Sequence, residues 1–152
     1  MDQTAEQNRK NGRKTEEEVF NLLKESDFKI LIDESNKEIF DIQFNQYALE
    51  VKSCELIHKI KEKIRFGRFT LRKQNHFQFG EYCAKNNLIP IYVFLIKIKN
   101  KTIYKFFSTW DAVDKFIQKN DAKKSTISFL QILQDSKQIE ELIKNGKRKI
   151  PR

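Results

Sequence analysis

The run Ile89-Pro90-Ile91-Tyr92-Val93-Phe94-Leu95-Ile96 is apolar almost without interruption and rich in β-branched residues. It is far too short to span a bilayer. Its composition reads as a strand at the centre of a sheet, buried on both faces, with Pro90 tolerated among its first residues. Such a strand needs cover on both sides, and the rest of the chain supplies it. Val19, Leu22 and Leu23 recur at helical spacing in a helix that begins near residue 12 and ends about residue 26, extended by Phe20 and Phe28. Thr70 stands where it can cap a second helix running to about Asn87, with Leu71, Phe77, Phe79 and Tyr82 as its bulk. Ser108 is placed to cap a third, with Trp110, Val113, Phe116 and Ile117 as its buried face. Phe28–Ile32 reads as a first strand, and Ile103–Phe107 as a strand at or beside the sheet edge after a turn at Asn100-Lys101. A short strand and helical turn are expected over Ser125–Leu133, and a last helix over Ser136–Asn145 with Gly146 as its stop. The expectation is one α/β domain of 152 residues, a mixed central sheet flanked by helices. Its core runs from about residue 11 to about 120, and a basic helical extension follows to residue 152.

Two further segments alternate with period two: Ile39–Phe44 and Tyr47–Ser53, separated by Asn45-Gln46, a length that suits a tight hairpin turn. Phe40, Ile42 and Phe44 fall on one face of the first; Tyr47, Leu49 and Val51 fall on one face of the second. Folded back, the pair brings Asp41, Glu50 and Lys52 together on the opposite face. Two carboxylates and an amine on one sheet face repel unless something compensates the acids. A divalent cation does so, since Mg²⁺ takes oxygen ligands, typically one or two carboxylates with waters and substrate phosphate.

The formal net charge is +9, which favours a polyanionic partner, nucleic acid before an anionic membrane surface. No strongly amphipathic basic helix with a bulky apolar face stands at either terminus, which argues against the membrane. The basic residues concentrate directly after Lys52: Lys59, Lys61, Lys63, Arg65, Arg68, Arg72 and Lys73, with Phe66 and Phe69 interleaved and Gly67 permitting a sharp turn. A loop or short helix there can lie along a phosphate backbone. Arg13 and Lys14 add cations near the first helix, and Gln74 and Gln78 can point at the same site from the second. His76 reads as a surface or half-buried histidine, and Trp110 as packing. Cys54 and Cys83 form no metal-ligand pattern with His58 and His76, so free thiols are expected. Residues 1–14 are polar, with no apolar segment of the secretory kind, so a cytoplasmic protein is expected.

Asp41, a strand-length gap, then Glu50-Val51-Lys52 resembles the core of the PD-(D/E)xK nucleases. Phe40 stands where that family commonly has proline. The opening helix, Gly12-x-x-x-Glu16-x-x-Val19-x-x-Leu22-Leu23, is similar to that of the archaeal Holliday-junction resolvases, a branch of the same superfamily. The resemblance covers about residues 11 to 120 and implies a restriction-endonuclease-like fold. It implies Mg²⁺-dependent DNA hydrolysis, with Mn²⁺ as a substitute, and a metal site made by Asp41, Glu50, the Val51 carbonyl and Glu16, with Glu17 the alternative to Glu16. Lys52 would stabilise charge or position the attacking water. Branched DNA as substrate and a homodimer as the working form follow from the resolvase branch. Those resolvases carry a serine shortly before the Asp; Ser35, the nearest here, lies farther away. Gln78-x-x-x-Tyr82 is similar to a DNA-contacting motif of exonuclease-type members. A restriction, nicking or exonuclease-type enzyme, and a non-catalytic nucleic-acid-binding module of the same fold, therefore stand beside the resolvase reading.

Overall fold

The computed structural model describes residues 14–19, 21–22, 30–31, 39–44, 46–117 and 121–147. Helix α1 covers residues 14–19 and 21–22. Then come β1 (Ile30–Leu31), β2 (Ile42–Phe44), β3 (Tyr47–Glu55), β4 (Ile57–Ile60), β5 (Lys63–Phe66), β6 (Arg68–Arg72) and α2 (Lys73–Lys85). The chain continues through β7 (Ile89–Ile98), β8 (Lys101–Thr109), α3 (Trp110–Asp114), β9 (Lys124–Ser128), α4 (Phe129–Leu133), β10 (Lys137–Gln138) and α5 (Ile139–Lys147).

Six strands form the central sheet in the order β1-β2-β3-β7-β8-β10. The β3–β7 pair is parallel and the rest are antiparallel, so the sheet is mixed, as expected. A parallel pair needs a long crossover, and here it comprises the β4–β5 hairpin, β6 and α2. Strand β7 lies between β3 and β8, and its alternation sorts the core into two layers. Tyr92, Phe94 and Ile96 face one buried cluster, with Phe69, Phe79, Phe106 and Ile127. Ile91, Val93 and Leu95 face the other, with Val19, Leu49, Phe107, Ile139 and Leu142. Helices α2, α3 and α4 contribute to the first layer, α1 and α5 to the second. Phe69, Phe94 and Phe106 stack through the first layer, Phe69 to Phe94 at 4.5 Å and Phe94 to Phe106 at 5.4 Å between centroids. Each such buried ring stabilises the fold by roughly 1.5–3 kcal/mol relative to exposure.

Several boundaries differ from expectation, each for a local reason. Ile42 packs with Tyr47, Leu49 and Val51, as the alternation predicts, but Phe40 lies in the opposite layer against Phe79 and Tyr82. The chain bends at Asp41, so the period-two pattern starts only at Ile42. The basic stretch after Lys52 is a β-ribbon instead of a loop or short helix: β4 and β5 pair from Ile57↔Phe66 to Ile60↔Lys63. Gly67 has no positive φ; its role is close approach. A Cβ there would sit 1.9 Å from the Glu55 carbonyl oxygen. Thr70 lies within β6 opposite Thr126, and α2 starts after Arg72 without a side-chain cap. Thr109, not Ser108, caps α3 by accepting from the Ala112 N–H at 3.2 Å. Ser108 is buried and donates to the Asp135 carbonyl. Helix α5 runs past Gly146 to Lys147. Residues 121–147, expected as part of a basic extension, contribute to the sheets and the core. Strand β9 pairs along all of β6, β10 adds to the central sheet, and Ile139 and Leu142 are buried.

Candidate active site

Asp41 occupies the bend that opens β2. Its N–H donates to the Leu49 carbonyl at 3.0 Å, and its Oδ2 accepts the Val51 N–H at 2.7 Å. The carboxylate thus extends the β2–β3 ladder beyond its last backbone pair, which fixes the side chain beside β3. Glu50 sits on β3 between Leu49 and Val51, both in the α1–α5 layer. Period-two alternation therefore turns Glu50, with Lys52, to the other face.

Helix α1 is held against the sheet by Thr15, Val19 and Leu22, a stripe at helical spacing. Buried Thr15 accepts from the Lys97 ammonium at 2.6 Å and donates to the Ser53 hydroxyl at 3.4 Å. Glu18 accepts from the Thr102 hydroxyl at 2.7 Å and pairs with Lys105 at 3.4 Å. These contacts set the rotation of the helix. In that rotation Glu16 hydrogen-bonds the Asp41 carboxyl and its charge acts on Glu50, whereas Glu17 is exposed.

Burial raises the pKa of Asp41 to about 8, with the charge of Glu50 and a hydrogen bond to Glu50 pushing the same way; the Val51 N–H and Glu16 pull it down. Burial also raises Glu50, and the neighbouring charge of Glu16 adds to this, while the Asp41 hydrogen bond and the Lys52 charge oppose it. Burial therefore disfavours the charge of both carboxyls, which interact with each other. Among the described residues no group of three or more His, Cys, Asp or Glu side chains is set out as a metal cage. The donor chemistry nevertheless fits a hard divalent ion: carboxylate and carbonyl oxygens, with two half-buried acids that raise each other's cost of ionisation.

Glu50 and Lys52 open on a cavity of about 230 Å³, whose other walls include Arg72, Asn75, Tyr92 and Lys124. Arg72 and Lys124 are direct cross-strand partners on the β6–β9 ribbon. Of the described residues expected to bind DNA, Arg72 alone reaches this cavity. Lys59, Lys61, Lys63 and Arg65 lie exposed on the β4–β5 hairpin, Arg68 is exposed on β6, and Lys73 begins α2. Lys14 is exposed on α1, and Arg13 lies outside the described residues. Gln74 and Gln78 are exposed, and Asn75 and His76 take the wall positions instead. Tyr82 is half-buried against Phe40. His76 is a correction: it is buried, not surface-lying, with both ring nitrogens engaged. Trp110 packs, as expected, stacking on the His76 ring at 4.3 Å. Lys124 and Tyr92 had no sequence signal of their own, since one is a lysine among many and the other sits in an apolar run. Cys54 and Cys83 are free, and burial pushes both thiols up to about 12, which leaves them unreactive.

Neither a family model nor a curated protein matches this sequence. Among solved structures, the chain is similar to Hjc, a Holliday junction resolvase from the archaeal hyperthermophile Archaeoglobus fulgidus. The match has a TM-score of 0.59 over 88% of this chain and 95% of that one, at 14% identity. The fold is that of Hjc. At that identity the likeness establishes the fold, the mixed sheet and its flanking helices, and not the activity. No helix among the described residues is long and apolar enough to cross a membrane.

Proposed function

We propose that this protein is a divalent-cation-dependent DNA endonuclease that hydrolyses phosphodiester bonds in branched DNA, four-way junctions above all. One observation carries the reading: Glu50, which interacts with Asp41 and Glu16, opens on a cavity whose other walls bear Lys52, Arg72 and Lys124. Acids alone would repel a DNA strand. Acids ringed by cations suit an ion on one side and a phosphodiester on the other.

Asp41, Glu50, the Val51 carbonyl and Glu16 would hold Mg²⁺, with Mn²⁺ as a substitute. Bound there, the ion lowers the pKa of a water and polarises a phosphoryl oxygen. The protein's own residues do the rest. Lys52, two positions along β3 from Glu50, presents a fixed positive charge to the phosphoryl group as negative charge develops, which is commonly the largest catalytic contribution. Arg72 and Lys124 hold the adjacent backbone. The β4–β5 hairpin, with Lys59, Lys61, Lys63 and Arg65, lies against the flanking duplex; a two-stranded ribbon of this kind fits the major groove. Two symmetric nicks require two sites, so the working form is a homodimer. A chromosomal DNA substrate would be met inside the cell, in keeping with a cytoplasmic enzyme.

Cleavage of end-labelled linear, nicked and four-way-junction DNA with Mg²⁺ tests the reading. Paired symmetric nicks in the junction are expected. Cleavage of linear or nicked DNA alone would move the assignment to a restriction, nicking or exonuclease-type enzyme. Salt-sensitive binding without cleavage of any substrate would leave a binding module.

A further inference from the structure

A hydrogen-bonded chain leads from the surface into the cavity beside the acids. Its outer end is Asp114, half-exposed at the end of α3, whose Oδ1 lies 2.9 Å from His76 Nε2. Its inner end is the Tyr92 hydroxyl, 2.7 Å from His76 Nδ1. Tyr92 is the direct partner of Glu50 across the parallel β3–β7 pair, and both line the cavity. The imidazole between them is held on its flank as well. Trp110 stacks on it at 4.3 Å with 2° between the planes, and the indole N–H donates to the His76 carbonyl at 2.8 Å. The side chain of His76 has no exposed surface, so ring plane and rotamer are both fixed.

The chain has a direction. A carboxylate only accepts, so Asp114 requires the proton on Nε2. In a neutral ring Nδ1 is then an acceptor, and the Tyr92 hydroxyl must donate to it. Burial holds His76 below the usual histidine range against the pull of Asp114, so the ring stays neutral. With its proton committed to Nδ1, the Tyr92 oxygen offers only lone pairs to the cavity. It cannot donate to a phosphate, whose oxygens only accept. Its partner there must be a donor. The donors on these walls are Lys52, which is drawn to Glu50, with Arg72, Asn75 and Lys124, and a water in the cavity meets the same need.

We propose that Asp114 and His76 are positioning residues that fix the Tyr92 oxygen as a hydrogen-bond acceptor, and that this oxygen orients the water attacking the phosphodiester. The inference rests on the nuclease reading above and deepens it. No proton moves along the chain; its work is orientation.

The test is steady-state cleavage by the full-length chain, with separate kcat and KM, for Tyr92→Phe, Asp114→Ala and Asp114→Asn. Losing one orienting hydrogen bond is expected to lower kcat about tenfold in Tyr92→Phe and Asp114→Ala, with KM unchanged. Asp114→Asn, whose amide oxygen still accepts from Nε2, should restore most of the rate. The double variant Tyr92→Phe/Asp114→Ala should be no slower than Tyr92→Phe alone, because both remove the same interaction. The protein has two histidines, so imidazole ¹⁵N spectra can assign the tautomer directly; Nε2–H is expected in the wild type and in Asp114→Asn. Wild-type cleavage with full kcat in Tyr92→Phe, or a rise in KM in place of the fall in kcat, overturns the inference and leaves the nuclease reading standing. So does an Asp114→Asn variant as impaired as Asp114→Ala, or an Nδ1–H tautomer in the wild type. A wild type that cleaves no DNA overturns both.

Discussion

Replacing Asp41 by asparagine should stabilise the metal-free protein while removing its response to metal. Asp41 titrates near 8 in the folded chain against 3.8 for an unperturbed carboxyl, because burial and Glu50 both disfavour its charge. Its folded pKa is raised, so its contribution to stability is full below the unfolded value. That contribution is lost as pH rises through the window toward the folded value. Each pH unit in that window is about 1.36 kcal/mol. The wild type therefore loses about 4 kcal/mol between about pH 5 and about pH 8 through this one group. Asparagine mimics the protonated acid: its oxygen still accepts the Val51 N–H and its amide still donates toward Glu50. It does not titrate, so the variant escapes the loss. Urea denaturation in EDTA at the two pH values reads the effect as the stability difference between variant and wild type, which cancels the titrating groups not coupled to Asp41. That difference should shift in the variant's favour as pH rises. Mg²⁺ added at about pH 8 should then raise the wild type and leave the variant unmoved. A pH-dependent difference under about 1.4 kcal/mol, one pH unit's worth, would refute the reasoning, as would equal stabilisation of both proteins by Mg²⁺.

Lys52→Ala should lower kcat at least about 100-fold, roughly 2.7 kcal/mol of lost transition-state stabilisation, with DNA affinity changed far less; gel-shift and single-turnover cleavage separate the two. Replacing Lys59, Lys61, Lys63 and Arg65 together by glutamine should weaken DNA binding and flatten its log–log salt dependence by about 3 to 4, near 0.9 for each phosphate no longer neutralised; titrations at several salt concentrations check it. Gly67→Ala should destabilise the fold strongly, because the new Cβ would lie 1.9 Å from a backbone oxygen and 2.8 Å from Cys54 Sγ; a variant as stable as the wild type in thermal unfolding would contradict that packing. Gly80→Ala should displace Trp110, whose ring carbons would lie 2.7 and 2.9 Å from the added Cβ; as Trp110 is the single tryptophan, its fluorescence should shift to the red.

What the sequence reveals follows from which interactions are local. Tyr47, Leu49 and Val51 alternate with Glu50 and Lys52, so strand and facing were legible from period two alone. Glu16 was legible by resemblance, but choosing it over Glu17 needed the rotation of α1, which Thr15, Lys97 and Ser53 set across the fold. The β4–β5 hairpin hid in a basic segment because Ile57, Ile64 and Phe66, its apolar residues with described side chains, are exposed. Thr70 and Ser108 are good caps by type. Pairing of β6 with β9 claimed the first, and burial under Asp135 claimed the second. His76 and Lys124 reach the cavity through contacts between residues far apart in the chain, which no spacing rule encodes.

The claim at the centre is that Asp41 and Glu50 assemble a metal-dependent cutting site. The measurement that tests it most directly is cleavage of a four-way DNA junction by the wild type and by Glu50→Gln, with Mg²⁺ and with EDTA. Nicks made by the wild type in Mg²⁺, absent in EDTA and absent in Glu50→Gln that still binds the junction, are predicted. Cleavage that persists in EDTA, or in Glu50→Gln, would contradict it.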